Sequence, residues 1–257
     1  MDVVAEINRL SGEALALSYR AAPGYLAHLR RNSALVLSGE PCADLNYLLI
    51  GPEPDPVATL REAMRVVRQR SLPVLVMLTP HVAPLLGDEA RRQGLHAAGE
   101  MPIMVREAGA SRPPAREGFS VLRVKDAPAL ALAGRLQAPG FGIAEEVWAR
   151  SFGAELLAAP GVEVFIASRN DVPMSAVETV RSGATIGIWC MATAPAHQRQ
   201  GAGYALLAYV INHFAALGAS RFYLGSSAAG GRLYEGLGFR TIATWSVWAI
   251  GESTQLH

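Results

Sequence analysis

A ten-residue stretch without hydrophobic period, Ala108–Glu117 (AGASRPPARE), does most to constrain how this chain folds. Paired prolines, small residues and arginines mark it as a linker. It leaves roughly 110 residues before it and about 140 after it, each enough for a small domain. The domains expected are therefore residues 1–110 and 117–257. Before the linker, a strand is predicted at Ala43–Ile50. A helical stripe of Val57, Leu60, Met64 and Val67 follows, then a strand at Leu72–Leu78. A helix closing at Ala90–Leu95 leads to a strand at Met101–Arg106.

After the linker, Phe119–Val124 alternates as a strand, and Asp126 can cap a helix running toward Leu136. Ala144–Ala158 reads as one helix, ended by Pro160-Gly161. Three strands are predicted at Val162–Ala167, Met174–Val180 and Thr185–Ala192, with Ser182-Gly183 as the second hairpin turn. Gly203, Leu207, Val210, Phe214 and Leu217 then form one apolar helical stripe. A strand at Arg221–Gly225, a short helix at Gly231–Leu237 and a strand at Trp245–Ile250 complete the order. The succession strand, helix, strand, helix, Gly-hydrophobe, strand thus occurs twice, which reads as an internal duplication of α/β type.

Composition removes several function classes. The 257 residues carry 23 basic and 22 acidic side chains, a net charge of +1, so the basic excess of a dedicated nucleic-acid binder is missing. Half the residues are hydrophobic (51%) and only 18% charged, which excludes disorder along the whole chain. Cys42 and Cys190 stand far apart, with neither metal-ligand spacing nor a disulfide framework, so no metal and a reducing cytoplasm are expected. The start, MDVVAEINRL, lacks a long apolar run, so no signal peptide is read there. The apolar stretches are strand-length, so no membrane span is expected.

Chemistry concentrates in Gln198-Arg199-Gln200-Gly201-Ala202-Gly203, set between a strand and a helix. Glycines let successive backbone N–H groups converge on one anion, and the helix start adds its positive end. A tight turn packing helix on strand would use the same string. No Gly-Lys-Ser/Thr follows, so it is no Walker loop, and a meander precedes it, unlike a dinucleotide fingerprint.

The run from Met191 through Pro195, Gln198, Gly201 and Gly203, followed by Leu233-Tyr234-Glu-Gly-Leu-Gly238-Phe239, resembles the GNAT superfamily of acyl-CoA N-acyltransferases. The resemblance covers the whole second half. It implies two GNAT-like domains, each a mixed, mostly antiparallel sheet flanked by helices. It implies acetyl-CoA as co-substrate and an amine of a small molecule or peptide as acceptor. Gln198 through Tyr204 would hold the pyrophosphate. Pantetheine would lie along Met191, Ala192 and Thr193, where this strand should splay from Tyr223–Gly225. A backbone N–H there would polarise the thioester carbonyl. Tyr234 would protonate the departing thiolate; the alternative is a tyrosine packed on the sheet.

The chain also departs from the family. Many relatives carry a carboxylate where Gly187 stands here. A two-residue Ser182-Gly183 turn would place Glu178 opposite Gly187, offering a substitute base; the alternative is a solvated strand glutamate. Ser226-Ser227 stands where relatives often have asparagine, and Ser226 is expected near the cofactor. His197 and His213 read as exposed or inert, and Cys190 as core packing. Trp148 and Phe152 read as core residues bordering the acceptor side, with Phe141 and Gly142 at its mouth. In the first half, Gly94-Leu95 aligns with Gly238-Phe239, which puts Ala90 at the tyrosine position. The loop there reads Gly51-Pro-Glu-Pro-Asp-Pro56, poor in donors and rich in acid. That half is expected to be degenerate, without a CoA loop. The rival to an enzyme is a non-catalytic acyl-CoA sensor. An apolar surface beside the last strand is compatible with a homodimer.

Overall fold

A computed structural model describes residues 3–107, 109 and 111–251; linker residues 108 and 110 lie outside the described residues. The chain forms two compact units, Met1–Ile103 with Thr241–His257, and Met104–Arg240.

The first unit opens with α1 (Val3–Ser18), β1 (Leu26–Leu29), β2 (Ser33–Leu37) and β3 (Asn46–Ile50). It continues through α2 (Pro56–Gln69), β4 (Val74–Leu78), α3 (Ala83–Arg92) and into β5 (His96–Glu107). β1, β2 and β3 pair antiparallel, and β3 and β4 pair parallel. Every residue of β3 and β4 is buried, as expected of parallel strands covered on both faces. α2 buries Leu60, Met64 and Val67 against them, so the expected stripe is the observed one.

Glu89 on α3 is buried, and its carboxylate binds Arg61 at 2.7 Å and Arg92 at 2.8 Å. Hydrogen bonds from Arg61 and Gln93 lead in holding its pKa down at about 2. The depressed value gives a stability contribution that is present above the ordinary carboxylate range and lost as pH falls toward about 2. Thermal melting between pH 6 and pH 2 should therefore show a smaller acid-side loss of Tm in Glu89→Gln, whose uncharged amide has no such dependence.

The second unit carries β6 (Ser120–Arg123), α4 (Ala127–Gln137), α5 (Glu145–Ser151), β7 (Val162–Arg169), β8 (Val172–Ser182) and β9 (Thr185–Thr193). Then come α6 (Ala202–Ala216), β10 (Arg221–Gly225) and α7 (Gly231–Gly236). Its strands run in the order β10-β9-β8-β7-β6, antiparallel except for β10 with β9. Phe165, Val177, Ile186, Ile188 and Phe222 pack with Leu206, Leu207, Val210 and Phe214 of α6 into one core. Alternation sends Val164 and Glu178 to the opposite face, under α4 and α5.

Three expectations change. The helix expected over Ala144–Ala158 stops at Ser151, whose hydroxyl bonds the Val147 carbonyl at 3.0 Å, and Gly153 is extended. Ala154–Ala158 is a separate 3-10 turn. The second hairpin pairs Ser182 with Thr185, so Gly183-Ala184 is its turn. Gly183 has φ +62, and glycine takes the left-handed position more readily than Ser182 would. Glu178 therefore stands opposite Trp189 and not Gly187.

The third change concerns the last strand, β11 (Arg240–Ile250), expected within the second domain. Residues from Thr241 belong to the first unit, because Ser246–Ile250 pair antiparallel with Val74–Leu78. In turn, Met104 at the end of β5 lies in the second unit's core, and Glu107 pairs with Arg221 at 3.0 Å. Trp245, Val247, Trp248 and Ala249 are buried, so β11 leaves little of the apolar surface expected beside it.

Candidate active site

β9 and β10 share a parallel register only over Thr185–Gly187 and Arg221–Tyr223. Both continue, to Thr193 and Gly225, without further pairing to each other among the described residues. The strands therefore part after Tyr223, which still pairs with Gly187, so the opening expected beside Met191–Thr193 faces Leu224 and Gly225. On its other side β9 carries a bulge. Ala176 pairs with Ala192 but Glu178 with Trp189, which leaves one extra residue on β9, and Cys190 takes φ +49. Side chains fasten this bulge. Gln137 donates to the Cys190 carbonyl at 2.7 Å, and Ser175 donates to that of Ala192 at 2.7 Å. Sequence reading missed Gln137; its signal is a polar residue on the buried face of an apolar helix.

The loop after β9 is a 3-10 turn at Pro195–His197, extended Gln198, then Arg199 at φ +60 and Gly201 at φ +91. Left-handed residues at such spacing turn backbone N–H groups to one side. α6 begins at Ala202 with no side-chain cap, so its first N–H groups are not met by a capping side chain. A Cβ on Gly203 would stand 3.2 Å from Met191 Cε, 3.4 Å from Thr193 Oγ1 and 3.4 Å from Leu233 Cδ2. The end of β9, the start of α6 and α7 therefore meet at one point. Gln198 and Gln200 bond back to the Thr193 and Ala196 carbonyls, so their side chains brace the loop. Tyr204 packs half-buried on the core, and His197 is half-buried too.

Arg116 is a second residue that sequence reading passed over. Its exposed side chain lies on Gly201, where any Cβ would collide with the guanidinium. Asn212 on α6 donates to the Pro113 carbonyl at 2.9 Å, which ties the linker alongside. The only earlier signal was the arginine content of the linker itself.

Tyr234 is 8% exposed, edge-on to Phe239 at 6.0 Å, and packed against Gly230. Burial pushes its pKa up to about 12. Its hydroxyl has no hydrogen-bond partner among the described residues. Ser226 is buried beside Gly231, but its hydroxyl is directed to the Ser227 carbonyl at 2.9 Å.

Glu178, at 1% exposure, is not the solvated glutamate that stood as its alternative. It lines a cavity of about 390 Å³ with Gln137, Trp148 and Phe152. Trp148 and Phe152 are both core and lining, with ring centroids 4.6 Å apart, and Phe141 sits 5.4 Å from Trp148. Tyr234 and Glu178 thus lie on opposite faces of the sheet. Burial, with the Glu178 charge adding to it, holds the Cys190 thiol well above its usual pKa. Gly187 has no room for a side chain, since a Cβ there would be 2.5 Å from Trp189 Nε1 and 2.8 Å from Tyr223 Oη.

In the first unit, the equivalent helix start is occupied by its own acid. Asp55 caps α2 by accepting from Ala58 N–H at 2.9 Å, and Pro56 has no N–H to offer. Among the described residues no group of His, Cys, Asp and Glu could hold a metal ion, and no helix is long and apolar enough to cross a membrane.

Residues 160–241 match the model of the acetyltransferase (GNAT) domain. No curated protein matches the chain. Among solved structures, a GCN5-related N-acetyltransferase from Kribbella flavida is 19% identical, with a TM-score of 0.72 over 98% of this chain and 97% of that one. A tandem GNAT protein from the clavulanic acid biosynthesis pathway is 15% identical, with a TM-score of 0.59 over 97% and 94%. A GCN5-related N-acetyltransferase from Sphaerobacter thermophilus is 13% identical, with a TM-score of 0.60 over 88% and 79%. The solved structures share this chain's fold, and the match of residues 160–241 to the acetyltransferase (GNAT) domain supports acyl transfer in the second half.

Proposed function

We propose that the protein transfers an acetyl group from acetyl-CoA directly to an amine. The observation that supports this most is the β9–β10 opening, with a bulge on one side and an uncapped N–H-rich loop at its end. Pantetheine would take the place of a strand along Met191–Thr193. The loop Gln198–Gly203 would hold the pyrophosphate through backbone N–H groups, with the Arg116 charge beside it. An N–H near Met191–Thr193 would carry the developing oxyanion.

The amine nitrogen attacks the thioester carbonyl carbon, forming C–N and an oxyanion, and C–S breaks as that oxyanion collapses back to a carbonyl. Glu178 takes the amine proton from one face, and Tyr234 gives its proton to the sulfur from the other. Cys190 stays a thiol and does not compete as a nucleophile. Only the second half acts in this reading; the first half lacks the loop and the tyrosine.

The test pairs calorimetric CoA binding with thiol release from acetyl-CoA in the presence of amines. CoA binding with amine-dependent turnover is expected. Tight CoA binding with no turnover on any amine would favour the sensor. In Glu178→Gln, kcat should fall and the acid limb of the pH–rate profile should disappear. An unchanged profile would remove Glu178 as the base.

A further inference from the structure

The cavity under α4 and α5 has features that select an acceptor. Its volume, about 390 Å³, lies at the small end of ligand pockets, which run from roughly 300 to 1,000 Å³. Its walls are mainly apolar, set by Leu130, Leu156 and the Trp148–Phe152 pair. The charged lining is three carboxylates, Glu145, Glu146 and Glu178, against one guanidinium, Arg135. Of these only Glu178 is deeply buried; the other three line the cavity from exposed helix positions. Gln137 both lines the cavity and bonds the β9 bulge, so the cavity abuts the backbone that would face the thioester.

We infer that this cavity takes a small primary amine on a compact apolar or aromatic body, and not a peptide. The inference rests on the acyl-transfer reading and names its acceptor class. An ammonium group is drawn to the excess of carboxylates; it sheds one proton to solvent as it becomes the neutral nucleophile and ends at Glu178, which takes the second on attack. The hydrocarbon body lies on Trp148, Phe152 and Leu130, gaining area burial and contact with the aromatic faces. An acceptor carboxylate would bring a second negative charge toward Glu178, so an α-amino acid is disfavoured by the same field. A polypeptide would leave unpaired backbone groups against an apolar wall.

The experiment reads binding to the CoA-loaded protein by calorimetry, which needs no particular acyl chain. The probes are 2-phenylethylamine, phenylalanine, 2-phenylethanol and an unstructured lysine-containing peptide. 2-Phenylethylamine should bind at least about tenfold more tightly than each of the others. Ala131→Phe, on the exposed rim of the cavity, should weaken that amine by about tenfold or more while leaving CoA affinity unchanged. Equal binding of amine and alcohol, preference for phenylalanine or peptide, or indifference to Ala131→Phe would each overturn the inference. Failure to bind CoA at all would instead overturn the acyl-transfer reading beneath it.

Discussion

Tyr234→Phe is expected to lower kcat by about 10²-fold while CoA affinity stays as it was. General acid help is typically worth ~10²–10⁴, and a thiolate leaves well enough to need only the lower end. The substitution is mild for the fold. Phenylalanine keeps the ring against Phe239 and Gly230, and the hydroxyl it removes has no protein partner among the described residues. A hydroxyl that makes no hydrogen bond within the protein leaves none broken when it is removed, so Tm should hold. The pH dependence separates this role from a packing role. With its pKa pushed up to about 12, Tyr234 stays protonated and able to donate throughout neutral and mildly alkaline solution. Wild-type kcat should therefore show no alkaline fall assignable to Tyr234 in that range, while Tyr234→Phe is slower at every pH by a nearly constant factor. Steady-state kinetics across pH with calorimetric CoA binding measures both. Equal kcat in the two proteins would make Tyr234 a core residue only.

Much of this site was legible because local rules produced it. Gly201 and Gly203 mark a backbone that must turn left and approach closely, and the structure has φ +91 at the first and three neighbours around the second. The α2 and α6 stripes and the strands of the second half follow from periodicity that packing reinforces. What escaped depends on residues distant in the chain. The bulge at Cys190 appears in no local pattern, being a difference in count between β8 and β9. Gln137 finds its partner 53 positions away. Arg116 reaches Gly201 only because the linker lies along α6. The departure at Gly187 gains a physical reason of the same kind. Trp189 and Tyr223 fill the space that a carboxylate would need, and Glu178 stands opposite Trp189 on the neighbouring strand. β11 pairs with β4 of the first unit, and sequence order does not say with which edge a final strand pairs.

The pyrophosphate loop can be tested at the residue with the least freedom. Gly201→Val should raise the KM for acetyl-CoA by about 10² or more, with kcat at saturation falling less. Three costs add. A β-branched side chain at φ +91 is strained by about 1–3 kcal/mol. Its Cβ would overlap the Arg116 guanidinium, which must swing off the loop and takes its positive charge away from the phosphate position. If the backbone relaxes instead, the N–H groups of Arg199–Ala202 lose their common direction, and a hydrogen bond to a charged group is worth about 1.5–3 kcal/mol. Two such hydrogen bonds lost at the lower value, about 3 kcal/mol, correspond to roughly 10² in affinity. Arg116→Ala separates the contributions, since it removes the charge and the collision but leaves glycine in place. It should raise KM by about tenfold or less, as expected for one exposed cation near a phosphate. The double variant is the decisive one. With Arg116 shortened, the valine no longer collides, so the remaining loss measures backbone geometry alone, and the two effects should combine less than additively. Full additivity would mean that Arg116 and Gly201 act independently, and that no collision with the guanidinium lies behind the Gly201→Val loss.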